Sequence, residues 1–109
     1  MKLDYMLKAL GEPTRLRIYQ SLLERKHCVR SLSKKFGISE SAISQHIRVM
    51  KEAHLVYGEK YGYHTHYLPL QDAADFLAEQ FEQMRTASLA LDRDTTTCQC
   101  EYRKEKESQ

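Results

Sequence analysis

Two groups of side chains in this 109-residue sequence have the types and spacing to do chemistry. The first is three cysteines, Cys28, Cys98 and Cys100, the last two separated by a single residue. Three thiolates suit a soft metal ion or a trivalent metalloid such as arsenite. The pair Cys98 and Cys100 equally suits disulfide or persulfide chemistry without a metal. The plain alternative is that Cys28 is a small buried apolar residue and the pair is incidental. The second group is Ser41, Ser44, Gln45 and Arg48, all on one side of a helix expected from about Ser39 to Ala53. Small polar side chains beside a bidentate donor fit base edges in a groove about 12 Å wide, Arg pairing with guanine and Gln with adenine. The bland alternative is a solvated helix face.

The elements that must position these groups follow from apolar spacing and punctuation. Leu3, Met6, Leu7 and Leu10 predict a short helix stopped by Gly11. Glu12-Pro13-Thr14 opens a second, with Pro13 near its first position, Leu16, Tyr19, Leu22 and Leu23 inward, and Arg15, Arg17, Glu24 and Arg25 outward. Val29, Leu32 and Phe36 predict a third, capped by Gly37. Ser39 then caps the next, along which Ile43, Ile47, Met50 and His54 follow at helical intervals. Two helices joined by a short turn containing Gly form a helix-turn-helix.

On that fourth helix Ser41, Gln45, Arg48 and Glu52 lie opposite the inner face, with Ser44 beside them. His46 lies only about 60° from the inner centre, so it reads as a packed flank residue. Residues 55–60 and 63–68 are β-prone and predict a hairpin around Tyr61-Gly62. Residues 71–91 predict a long helix with Ala74, Leu77, Phe81, Met84 and Leu91 on one stripe. Little of the chain is left to cover that stripe, so a partner subunit is the expected cover. The fold class is therefore mainly α with a small β-hairpin, a winged helix-turn-helix. It divides into a domain at 1–91 and a polar, flexible tail at 92–109 carrying the cysteine pair.

Residues 1–70 hold 12 Lys+Arg against 6 Asp+Glu, and residues 71–109 hold 5 against 9. A basic part followed by an acidic one suggests that the first meets a polyanion. Lys34 and Lys35 before the reading helix are candidate phosphate contacts. In the hairpin, Lys60, Tyr61, Tyr63, His64 and His66 are candidates for phosphate or the minor groove, Lys60 and His64 foremost. His64-Thr65-His66 supplies too few ligands for a metal site of its own. No apolar run approaches a membrane span, and the N-terminus lacks a secretory pattern, so the expected compartment is the cytoplasm. An odd cysteine count in that setting argues against a structural disulfide framework. Nothing supports an enzyme: there is no nucleophile turn, carboxylate pair or cofactor loop.

Three segments taken together resemble the ArsR/SmtB family of bacterial metal- and stress-responsive repressors, over roughly residues 5–90. They are residues 7–18 (LKALGEPTRLRI), residues 38–47 (ISESAISQHI) and residues 51–56 (KEAHLV) leading into the hairpin. The resemblance implies a homodimer joined by its first and last helices, bound to a palindromic operator on double-stranded DNA and leaving it when an inducer binds. For such dimers half-sites lie about one helical turn, roughly 34 Å, apart. His54 stands where the family usually has Gly after the reading helix, and it takes a left-handed cap less readily.

The same resemblance bears on the inducer. The family's metalloid sensors carry Cys-Val-Cys on the helix preceding the reader, and here the triplet is Cys28-Val29-Arg30. Its zinc site on the last helix begins at an Asp matching Asp72, but the remaining positions fall on Ala74, Arg85 and Ser88. Cys28, Cys98 and Cys100 remain as a candidate thiolate site for arsenite or a soft metal as inducer, with no cofactor otherwise required. Closure of the tail on Cys28 of either subunit would displace the helix beside the reader and weaken DNA binding. The alternatives are redox sensing by the same thiols, no small-molecule sensing, or a winged helix used only for protein contacts.

Overall fold

The computed structural model describes residues 1–96, 98 and 100. Five helices and one hairpin follow in order: α1 Leu3–Leu10, α2 Pro13–Glu24, α3 Val29–Phe36, α4 Glu40–Glu52, β1 Val56–Tyr61, β2 His64–Pro69 and α5 Gln71–Ala90. This is a winged helix-turn-helix. Thr97, Gln99 and residues 101–109 of the predicted tail lie outside the described residues.

The helix boundaries have local causes. Gly11 ends α1 in a right-handed conformation (φ −76°), so the stop does not come from a left-handed glycine. It comes from Pro13, which drives the preceding Glu12 into an extended conformation (φ −94°, ψ 127°). There the Glu12 carboxylate accepts the N–H groups of Thr14 and Arg15, each at 3.0 Å, capping α2. Those backbone bonds, Thr14 first, hold its carboxyl below the ordinary carboxylate range. Gly37 does close α3 in the left-handed region (φ 67°), and Ser33 Oγ donates to the Ile38 carbonyl at 2.5 Å across the turn. Ser39 Oγ then accepts the Ala42 N–H at 3.1 Å and starts α4.

The core is one cluster in which Met6, Ile18, Leu32, Ile43, Met50 and Leu55 are fully buried. The inner face of α2 differs from the sequence expectation. Tyr19 and Leu22 are buried with Ile18, but Leu16 and Leu23 are 40% and 54% exposed. Five apolar residues spread around this short helix, and packing against α1, α4 and β2 selects the Ile18 side. Arg15, expected outward, is half-buried and donates from Nε to the Ala9 carbonyl at 2.7 Å.

After α4 the chain turns through His54 at φ 61°, the one non-glycine residue with positive φ among those described. The His54 N–H bonds the Lys51 carbonyl at 3.0 Å, and the Leu55 N–H bonds the Met50 carbonyl at 2.9 Å. That pair of bonds is a Schellman cap with histidine at the left-handed position. A residue with a Cβ pays about 1–2 kcal/mol there, while glycine loses about 0.5–1 kcal/mol of chain entropy. His54→Gly is therefore expected to stabilise the fold by about 0.5–1 kcal/mol in urea denaturation.

The hairpin pairs Val56 with Pro69 through to Tyr61 with His64, leaving Gly62 and Tyr63 as its loop. The turn thus falls one residue later than expected, because the positive φ of a tight hairpin settles Gly62 at the first loop position (φ 63°). Beside the two-stranded sheet, His27 makes an isolated bridge to Tyr67 that the sequence does not announce, with backbone bonds of 3.4 and 2.8 Å in the two directions. This bridge ties the α2–α3 connection to the wing.

His27 is buried at 9% exposure, and its Nδ1 lies 2.9 Å from Ser31 Oγ. Burial, then the positive charges of Lys35 and Arg25, push its pKa below the ordinary 6.5, against a smaller opposing effect of Glu24. The unfolded chain accordingly takes up a proton before the folded one does. The stability this histidine allows is complete above about pH 6.5 and falls as pH drops from there to its folded pKa. His27→Gln is expected to flatten that part of the stability profile, read by urea denaturation between pH 7.5 and 5.5.

On α5 only the first half is covered, with Ala73 and Leu77 buried and Phe76 packed against the core. Phe81, Met84, Leu89 and Leu91 are 48–71% exposed in the single chain. The stripe expected to need a partner along its whole length is therefore shorter: Leu77 is buried within the chain and Ala74 half-buried, because the first half of α5 packs on the core, which leaves Phe81 and Met84, with Leu91 just past the helix, uncovered.

Candidate nucleic-acid interface

The wall formed by Ile43, Ile47 and Met50 fixes α4 against the core and turns its other side to solvent. Ser41, Ser44, Gln45 and Arg48 are all exposed on that side. Arg48 Nε lies 3.7 Å from Glu52 Oε1 one turn later, with both side chains about 70% exposed. Such an exposed pair is weak, so Arg48 is steered without being withdrawn from an incoming acceptor. His46 sits on the flank, 22% exposed, its Nδ1 3.4 Å from Arg15 Nη1 and 3.9 Å from Glu12 Oε2. It braces α4 against the start of α2.

The candidate phosphate contacts differ in freedom. Lys34 is exposed, whereas Lys35 is drawn toward Glu24 at 3.8 Å and lies over the Phe36 ring at 5.8 Å. Lys60 and His64 are exposed on the wing, His64 at the last pair before the loop. Tyr63 projects entirely free at the tip. Beside it, Tyr61 stacks on His66 at 5.5 Å, and Lys26 lies over the Tyr61 ring at 5.9 Å. The His66 Nδ1 is buried with no hydrogen-bond partner among the described residues.

Two clefts flank α4 on the wing side. One, of about 390 Å3, adds Lys51 beside Ser44 and Arg48. The other, of about 370 Å3, brings Arg30 and Glu40 opposite Tyr63 and His64. Arg30, Lys51 and Lys26 were not singled out from the sequence. Lys51 was legible as a basic residue one helical turn from Arg48's neighbour Ile47, but Arg30 and Lys26 meet the wing only through the His27–Tyr67 bridge.

The three thiols are not brought together. Cys28 is half-buried at the N-terminal boundary of α3, where it makes no capping bond. Cys98 and Cys100 are exposed, and the Cys100 N–H points to Cys98 Sγ at 3.4 Å. Among the described residues no three His, Cys, Asp or Glu side chains are grouped to hold a metal ion.

Comparison with known proteins places this arrangement. The sequence model described as bacterial regulatory protein, arsR family, matches residues 12–57, from the cap of α2 into the first strand of the wing. The HTH-type transcriptional repressor SmtB of Mycobacterium tuberculosis is 35% identical over 57 residues, 52% of this chain and 42% of its own length. The match thus spans less than half of that relative. The HTH-type transcriptional regulator NmtR of the same organism is 34% identical over 80 residues, 67% of each chain. The solved structure of a "Possible transcriptional regulator for arsenical resistance" is 33% identical, with a TM-score of 0.66 over 84% of this chain and all of that one. With the family model matched over residues 12–57 and a relative 34% identical over 67% of each chain, the chain belongs to the ArsR family of bacterial regulatory proteins.

Proposed function

We propose that this chain is a transcriptional repressor, not an enzyme, that binds a palindromic operator as a homodimer and reads it with α4. The observation that carries the reading is the outer face of α4: Ser41, Ser44, Gln45 and Arg48 stand exposed together on a helix whose opposite face is locked into the core. Gln45 and Arg48 supply the bidentate donors, while Lys34, Lys35, Lys60 and His64 take phosphates on either side. The exposed apolar residues of α5, with Leu7 on α1, form the dimer seam, and no described helix is long and apolar enough to cross a membrane. A repressor of this kind works in the cytoplasm beside its operator.

The inducer is of the thiol-binding class, arsenite or a soft metal ion, held by Cys28, Cys98 and Cys100. Supporting this are three thiols outside any disulfide and the likeness to a possible regulator for arsenical resistance. Because Cys28 lies apart from the pair, the site requires the tail to move onto α3 of its own or the partner subunit. Arsenite added under reducing conditions to the protein–operator complex is expected to release the DNA, and Cys98→Ser/Cys100→Ser is expected to remain bound. Release of that double variant by arsenite would reject the assignment.

A further inference from the structure

Between α1, the start of α2 and the flank of α4 away from the wing lies a cleft of about 550 Å3, within the range of small-molecule sites. Its floor is Ala9 and Ala53, both nearly buried, whose small side chains leave the depth. Tyr5 and Val49, 57% and 39% exposed, form an apolar wall. Lys8 and Arg15 bring positive charge to the same space. Lys8 forms no ion pair among the described residues. Arg15 uses Nε on the Ala9 carbonyl and turns Nη1 toward His46, leaving Nη2 with no partner among the described residues. Glu52 stands on the outer rim, 73% exposed, its carboxylate turned 3.7 Å from Arg48 Nε in a weak surface pair.

An aromatic wall, a small apolar floor and two cations with spare donors define the chemistry of an occupant. We infer that this cleft binds a small aromatic carboxylate, its ring against Tyr5, Val49 and Ala53 and its carboxylate between Lys8 and Arg15. A planar anion satisfies the guanidinium through paired N–H bonds, which a neutral ring does not. The site is separate from the thiols, since Cys28 does not line it. It also lies clear of the dimer seam: on α1, Tyr5 and Leu7 are about 200° apart, so a partner seated on Leu7 leaves the Tyr5 side open. Because Val49, Glu52 and Ala53 belong to the end of α4, and Arg15 contacts His46, occupancy is felt directly by that helix.

The test needs no DNA and so stands apart from the operator reading. Sodium benzoate is titrated into the full chain at constant ionic strength, and amide 1H–15N shifts are followed. Expected is one saturable set of shifts centred on Tyr5, Ala9, Val49 and Ala53, with Kd about 1 mM for a ligand of this size. Benzamide, the neutral isostere, should bind about tenfold weaker. Lys8→Gln should weaken benzoate several-fold, and Val49→Trp, which fills the cleft, should abolish the shifts. Shifts that do not saturate, that map elsewhere, or that are as strong with benzamide as with benzoate would overturn the assignment. Unchanged benzoate affinity in Lys8→Gln would do the same, whatever the folding of the tryptophan variant.

Discussion

Arg48→Ala is expected to weaken operator binding by roughly 30-fold or more while leaving the fold intact. A bidentate Arg–guanine pair discriminates by about 1–3 kcal/mol, and a dimer loses one pair in each half-site. The cost to the free protein is small, because Arg48 is 70% exposed and its pair with Glu52 is of the i,i+4 kind worth a few tenths of a kcal/mol. The discriminating readout is salt dependence, measured by fluorescence anisotropy on the operator duplex. A base contact removed leaves the slope of log K against log salt nearly unchanged. Lys34→Ala, proposed above as a phosphate contact, should instead lower that slope by about 1 per half-site and weaken all sequences alike. A variant Arg48→Ala that bound its operator as tightly as the wild type would remove α4 as the reader.

Phe81→Asp is expected to convert the protein to monomers and reduce operator affinity more than 100-fold. Phe81 and Met84 are half exposed one turn apart on the outer half of α5, and no described residue of the chain covers them. Burying a phenylalanine contributes about 1.5–3 kcal/mol, counted once from each subunit, and a carboxylate in its place adds an unpaired charge to the seam. Monomers lose the avidity of two linked half-sites even though each α4 is unchanged. Light scattering reads the oligomeric state, and circular dichroism should show retained helix, since the core built on Met6, Ile18 and Ile43 does not involve Phe81. Dimers persisting in this variant would place the seam elsewhere.

Most of the architecture was legible because its signals are local. Ser39 before an Ile43–Ile47–Met50 stripe, and Gly37 after Phe36, state a cap, a face and a stop within a few residues. His54 was half legible: helical spacing carries the α4 stripe through it, while the family resemblance marks it as a glycine position, and the structure ends the helix and puts it in the left-handed turn. The misreadings arise where tertiary contact decides. Leu16 and Leu23 are as apolar as Leu22, and only the placement of α1, α4 and β2 around α2 selects Ile18 and leaves those two outside. The His27–Tyr67 bridge is a single residue pair, with no periodicity to detect, yet it sets Arg30 and Lys26 against the wing. In the candidate site, the exposed face of α4 followed from helical phase alone. The distance from Cys28 to the tail thiols is a property of the folded chain, and the sequence carried no signal for it.

The measurement that bears most directly on the central claim is footprinting of the full chain on the promoter upstream of its own coding region at low salt. The account predicts two protected half-sites centred about one helical turn, roughly 34 Å, apart, with protection lost as salt rises and lost in Arg48→Ala. No protection of that or any other duplex at low salt, with the protein folded and dimeric, would contradict it.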